Sequence, residues 1–252
     1  MRTILKRGLS ILILLETKPT AMEAQSPYSR YEIGISAGTF LYQGDLTPAA
    51  QGSARSMNTG FTVMGSRLLT SSLSARVNLA VGRLSGDDGL YKTPDWRQQR
   101  NFTFQTPLLE FSAQAVWDPT AQNFTRSRIH FSPYVFAGVG VSFLRIHRDW
   151  SGFNSSYFES EPEIAAGLEV DAARKLPGMI PVIPLGAGIK YHFNDRFSFQ
   201  FESNYRLTFT DYLDGFSQSA NPQKADHYHS QSVGLVYRFG KRPSWKCPKI
   251  PL

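Results

Sequence analysis

The sequence predicts an all-β protein: an eight-stranded antiparallel transmembrane β-barrel with long extracellular loops and a short periplasmic C-terminal tail. Three observations predict it. First, residues 197–210 alternate: Phe197, Phe199, Phe201, Tyr205, Leu207 and Phe209 share one parity, and Ser198, Gln200, Glu202, Asn204, Arg206, Thr208 and Thr210 the other, with Ser203 the one break. Side chains on a strand point to opposite faces in turn, so the segment has one greasy face and one polar face. It exceeds the usual soluble strand of about 5–6 residues and suits a tilted membrane strand of about 9–11. Second, the pattern recurs in seven other segments. Third, the connections between these segments alternate long and short.

In chain order, the first two strands are the weaker runs 31–41 (Tyr31, Ile33, Ile35, Ala37) and 59–67 (Phe61, Val63). In the third, 73–81, Leu73, Ala75, Val77, Leu79 and Val81 alternate with Ser74, Arg76, Asn78 and Ala80. The fourth, 109–117, sets Leu109, Phe111, Ala113, Ala115 and Trp117 against Glu110, Ser112, Gln114 and Val116. Upstream of it, Phe102 and Phe104 fall on the opposite phase. Pro107 lacks a ladder donor, so a bulge or strand start is expected there, with the membrane part after it. The fifth strand, 131–143, carries Phe131, Pro133, Val135, Ala137, Val139, Val141 and Phe143 on one parity. The sixth is 183–193, the seventh 197–210 and the eighth 232–239. Eight is even and the smallest number that closes a membrane barrel.

The connections after the first, third, fifth and seventh strands span roughly 46–57, 86–101, 147–180 and 213–229, whereas the others are 69–72, 118–128 and 194–196. Short periplasmic turns and long outer loops are the habit of outer-membrane barrels. A lipocalin-like soluble barrel would use the same alternation with the greasy face inward. Glycines on the polar parity (Gly34, Gly38, Gly138, Gly140, Gly186, Gly188, Gly234) fit a crowded lumen better than a solvated exterior. Aromatics at strand ends, among them Tyr31, Trp117, Tyr191, Phe193, Tyr237 and Phe239, fit interfacial girdles.

No stretch reaches the ~18 apolar residues of a membrane helix. Residues 1–24 read as an export signal: Arg2, Lys6 and Arg7 precede an apolar core from Leu9 to Leu15, with small residues at Ala21 and Ala24. The barrel then occupies 25–240 and the tail 241–252. Removing the signal takes away four basic and two acidic side chains, so the formal charge of +7 becomes +5. No basic run or recognition motif accompanies that charge, which argues against nucleic acid and for contact with outer-membrane lipid and lipopolysaccharide.

The inward parity carries Glu32, Arg76, Asn78, Glu110, Gln114, Lys190, His192, Glu202, Arg206 and Arg238. Eight strands leave an interior that side chains can fill, and unpaired buried charge is costly. Glu32, Arg76, Glu110, Lys190, Glu202, Arg206 and Arg238 are therefore expected to pair across the lumen as a structural plug. No catalytic residue, metal site or cofactor is expected. His227 and His229 flank Tyr228 without a defined third ligand, and are read as a loop pair. Asp211 and Asp214 are expected to cap a turn or meet lipopolysaccharide counter-ions; His147 and Asp149 are read the same way. The single cysteine, Cys247, allows no internal disulfide. Cys247 lies in the proline-broken tail with Trp245 and Ile250. That tail is either a basic end held at the membrane surface or a docking peptide for a periplasmic partner.

Several segments resemble one family: YEIGISAGTFLYQGDL at 31–46, TPLLEFSAQAVW at 106–117, SPYVFAGVGVSF at 132–143, LGAGIKYHFNDRFSFQFESNYRLTFTDYLDGFS at 185–217 and VGLVYRFG at 233–240. They resemble small outer-membrane barrels of the family that includes PorG of the type IX protein secretion system. The most specific part is Arg206 to Asp214, whose Thr208, Phe209, Thr210, Asp211, Tyr212 and Asp214 form the outer lip of the seventh strand. The resemblance implies a non-enzymatic barrel that docks a periplasmic ring built from a lipoprotein and a soluble partner. The remaining readings are a barrel whose outer loops bind an external ligand or surface, and a lipid-modifying barrel enzyme.

Overall fold

A computed structural model describes residues 31–48, 52–121, 123, 131–221 and 225–239. The export signal 1–24 and the tail with Trp245, Cys247 and Ile250 lie outside the described residues. The strands are β1 (Tyr31–Gln43), β2 (Asn58–Leu68), β3 (Leu73–Asp87), β4 (Thr103–Trp117), β5 (Phe131–Leu144), β6 (His147–Asp149), β7 (Met179–His192), β8 (Phe197–Thr208) and β9 (His227–Phe239). Two helices, α1 (Trp96–Arg100) and α2 (Pro162–Ala173), lie in the long connections.

Neighbouring strands run antiparallel, β1 closes on β9, and the short β6 adds to the far end of β4. The result is a closed barrel of eight long strands. Its stagger can be followed from Tyr31 through Arg67, Ala75, Ala115, Ala137, Leu185, Tyr205 and His229 back to Leu41, ten residues higher on β1. Ten residues of rise against eight strand spacings tilts the strands by about 40°.

The greasy parity faces out. Ile35, Phe61 and Val139 are 62%, 62% and 67% exposed, while Glu32, Arg76, Glu110, Glu202 and Arg206 are buried. A soluble barrel cannot carry an apolar wall of this extent around its circumference. The aromatic girdle at the short-turn end includes Tyr31 stacked on Phe239, Phe131 against Tyr191, and Phe193 on Phe197. The molecule is an integral barrel of the bacterial outer membrane, crossed by strands; among the described residues no helix is long and apolar enough to cross.

Three expectations need correction. No bulge interrupts β4: its ladder with β3 runs from Asp87–Thr103 through Arg83–Pro107 to Leu73–Trp117 without a slip. The apolar phase changes because the surroundings change. Phe104 still points inward, but into an apolar core rather than the polar lumen. The connection predicted at 147–180 is not plain loop, since it holds β6 and α2 and gives its last residues to β7. The histidines at 227 and 229 are not in a loop either. They open β9, half-buried on its outer face, while Tyr228 is buried inside.

Candidate functional site

The interior has two storeys. In the lower one, near the short turns, Glu32 receives Lys190 at 2.6 Å and Arg238 at 2.6 Å. Above it Arg76 pairs with Glu202, donates to Gln114 Oε1 at 2.6 and 3.0 Å, and lies over the Phe136 ring. Tyr134 donates to the same Glu202 at 2.8 Å. Higher again Arg206 meets Glu110 at 3.0 Å, and Tyr228 donates to that carboxylate at 2.9 Å. All seven charges singled out in the sequence thus meet a partner. Charges brought together across the lumen from six strands can stay ionised only because each is matched. Glycine makes room for the rings: a Cβ at Gly188 would stand 2.5 Å from the Tyr134 ring.

The lower lumen also brings His192 Nδ1 within 2.6 Å of Ser198 Oγ. This is the contact a nucleophile and base would make. Both side chains come from inward positions of one register pair, inside the barrel wall and away from the acyl chains of the bilayer.

The upper storey is apolar. Phe40, Tyr42, Leu84, Phe104, Leu108 and Val182 pack from the strands, and Leu46, Phe102, Leu213 and Phe216 enter from the connections. Phe102 stacks on Phe216 with centroids 4.3 Å apart. The family-motif lip is therefore not a rim. Thr208 ends β8, its side chain donating to the Asp226 carbonyl, and Phe209 stays outside at 67% exposure. Beyond Thr210, the chain turns in so that Tyr212, Leu213 and Asp214 are buried. Of the two roles expected for Asp214, the structure shows the turn cap, its Oδ1 accepting from the Phe216 backbone N–H at 2.8 Å, and its burial takes it away from lipopolysaccharide counter-ions.

Asp214 sits 2.7 Å from the Tyr42 hydroxyl, and Asp226 2.6 Å from the same oxygen. The backbone N–H of Asp45 also donates to that oxygen. One hydroxyl carries one proton, so it donates to one carboxylate, and the second contact is made by a carboxyl proton. Burial pushes the Asp214 carboxyl up to about 8, and Asp45 and Asp211 add repulsion. Burial, then the charge of Asp214, drives Asp226 in the same direction. Asp211 rises to about 7, chiefly by burial, which outweighs the opposing pull of the Ser217 hydroxyl.

The connections are tied over this storey. Asp171 of α2 accepts from the backbone of Ser217, Gln218 and Ser219 at 3.1, 3.1 and 2.9 Å, and from Ser219 Oγ at 2.7 Å. Burial alone would raise its carboxyl; these donors outweigh burial and hold it below the usual carboxylate value. Asp88 binds both Arg97 and Arg100 of α1. Sequence reasoning missed Asp171 and Asp88, because single carboxylates in long connections carry no periodic signal. Among the described residues no cluster of three His, Cys, Asp or Glu side chains could hold a metal.

A family model described as a domain of unknown function (DUF6089) matches residues 6–249. The chain belongs to that family. No curated protein matches this DUF6089 chain. Solved structures similar to it include Neisserial surface protein A (13% identity, 83% of this chain and 97% of that one, TM-score 0.46). Ail, the attachment invasion locus protein of Yersinia pestis, is 11% identical over 84% of this chain and 99% of its own, with a TM-score of 0.43. The outer membrane protein OprG from Pseudomonas aeruginosa is 10% identical over 85% and 98%, with a TM-score of 0.45.

Proposed function

We propose that the barrel is a non-enzymatic, non-conducting anchor in the outer membrane, serving a protein secretion machine by docking a periplasmic ring. The observation that carries the anchor reading is the filled interior: matched charges below and a packed apolar core above leave the wall as the membrane-engaging part. The secretion role rests on the sequence resemblance to the PorG-containing family. Its partners would be a lipoprotein and a soluble periplasmic protein, held by the tail through Trp245 and Ile250, with Cys247 available for a disulfide to a partner. Deleting residues 241–252 is expected to leave a folded, heat-modifiable barrel that no longer co-purifies periplasmic proteins. Unchanged co-purification would remove the tail from the account.

A second reading, a barrel whose outer loops bind an external ligand or surface, is favoured by one observation. The connections are pre-ordered by Asp171 and Asp88, and pre-organised loops bind at lower entropic cost.

A further inference from the structure

Three consecutive layers lie on one outer face where β3, β4 and the chain leading from β5 into β6 adjoin. The lowest is apolar: Val81, Leu109 and Phe143 are all exposed. The next is cationic. Arg83 is the register partner of Pro107 on one side, and on the other the Arg145 backbone N–H donates to the Pro107 carbonyl at 3.1 Å. Both arginines continue the outward parity of their strands and are exposed. Neither side chain makes a hydrogen bond or ion pair among the described residues. Two strand spacings separate them, roughly 10 Å, so two guanidinium groups can converge on one anionic group. The third layer is polar: Ser85, Gln105 and His147 are partners in the next row, lining a cleft of about 480 Å³ that Arg55 also borders. Asp87 and Asp149 stand one row higher, accepting from Gly89 and Ser151 backbone N–H groups at 2.8 and 2.9 Å.

We propose that this face binds a phosphorylated glycolipid of the outer leaflet, with acyl chains on the apolar row, a phosphate between Arg83 and Arg145, and sugar hydroxyls in the cleft above. The order of the layers selects this ligand. An apolar row alone takes any lipid, and two arginines alone take any anion. Acyl chain, phosphate and hydroxyl-rich head follow one another in that vertical order in a phosphorylated glycolipid. The exposed Arg67 supplies an internal control, because it lies on the outer face near the short-turn end, beside Tyr31 and Ala75. The site is independent of the anchor reading, since neither arginine enters the lumen network or the tail.

The test uses the full chain purified in detergent, with bisphosphorylated lipid A as probe and native mass spectrometry as readout. The wild type is expected to bind it about tenfold or more tightly than the dephosphorylated form. The Arg83→Gln/Arg145→Gln double variant should lose that preference, Arg83→Lys/Arg145→Lys should keep part of it, and Arg67→Gln should keep all of it. Unchanged heat-modified gel mobility reports that each variant is folded. Three results would overturn the proposal: an unaltered preference in the double Gln variant, an equal loss in Arg67→Gln, or equal competition by the deacylated bisphosphorylated disaccharide. The last would mean a site for soluble phosphosugars rather than for a membrane lipid.

Discussion

The lower and upper storeys of this barrel solve the same problem in opposite ways. Below Pro107 the wall faces lipid, so the apolar side chains point out and the charges point in, where Glu32, Glu202 and Glu110 each hold an arginine or lysine. Above Pro107 the same strands stand in water. There Ser85, Gln105 and His147 line an open outer cleft, and Leu84 and Phe104 point in. The register does not slip between the two; only the medium changes. Strand periodicity therefore reports which faces differ, while the surrounding solvent decides which face is inside.

The sharpest way to break this comparison is to remove one charge from the lower storey. Arg206→Leu should destabilise the barrel by ~3–5 kcal/mol, because it leaves the Glu110 carboxylate buried without its cation. Denaturant unfolding in detergent measures this, and Arg206→Leu/Glu110→Gln should recover much of the loss. An unchanged midpoint in the single variant would mean that the pair is not formed.

The corresponding deletion in the upper storey should behave differently. Phe216→Ala removes a ring stacked on Phe102 and packed edge-on to Trp150, a loss of about 3 kcal/mol for a buried aromatic. The loss should fall on the docking of residues 209–221, read as faster amide exchange there with the strand ladders unaffected. A matching loss in β3 and β4 would show that the two storeys unfold as one.

A smaller effect should appear with pH, and its sign distinguishes two carboxylates within the cap. Asp214 is raised to about 8, so the folded cap keeps a proton that the undocked loop gives up near 4. The Asp214 contribution to docking is then fully present below about pH 4 and is lost as pH rises through about 8. Asp171 is lowered, so its contribution is present above about pH 4 and is lost on acidification below that. Amide exchange of residues 211–217 across pH 5–8 should accelerate beyond the intrinsic base-catalysed rate, and Asp214→Asn should flatten that excess. An excess that persists in Asp214→Asn would move the titration to another group.

These contrasts also explain what could be read in the sequence. All eight long strands and the seven polar-parity charges follow from period-two alternation, which on β8 breaks only at Ser203, while the outward face was legible from the glycines on the polar parity, the aromatics at strand ends and the unequal connections. The cap did not follow. Its order comes from pairs far apart in the chain, such as Tyr42 with Asp214 and Asp171 with Ser219, and no local period marks them. The Phe102 and Phe104 phase change was visible, but a bulge and a change of medium give the same pattern in one strand. The unslipped register with β3, and the inward Leu84 on that neighbouring strand, separate the two.

Conductance across planar bilayers tests the central claim most directly. A barrel whose lower storey is bridged by Glu32, Glu202 and Glu110 pairs and whose upper storey is packed should insert without opening a path, and current should stay at the level of the bare membrane. Reproducible, protein-dependent channel steps from homogeneous preparations, retained when Arg76 and Arg206 are intact, would contradict it.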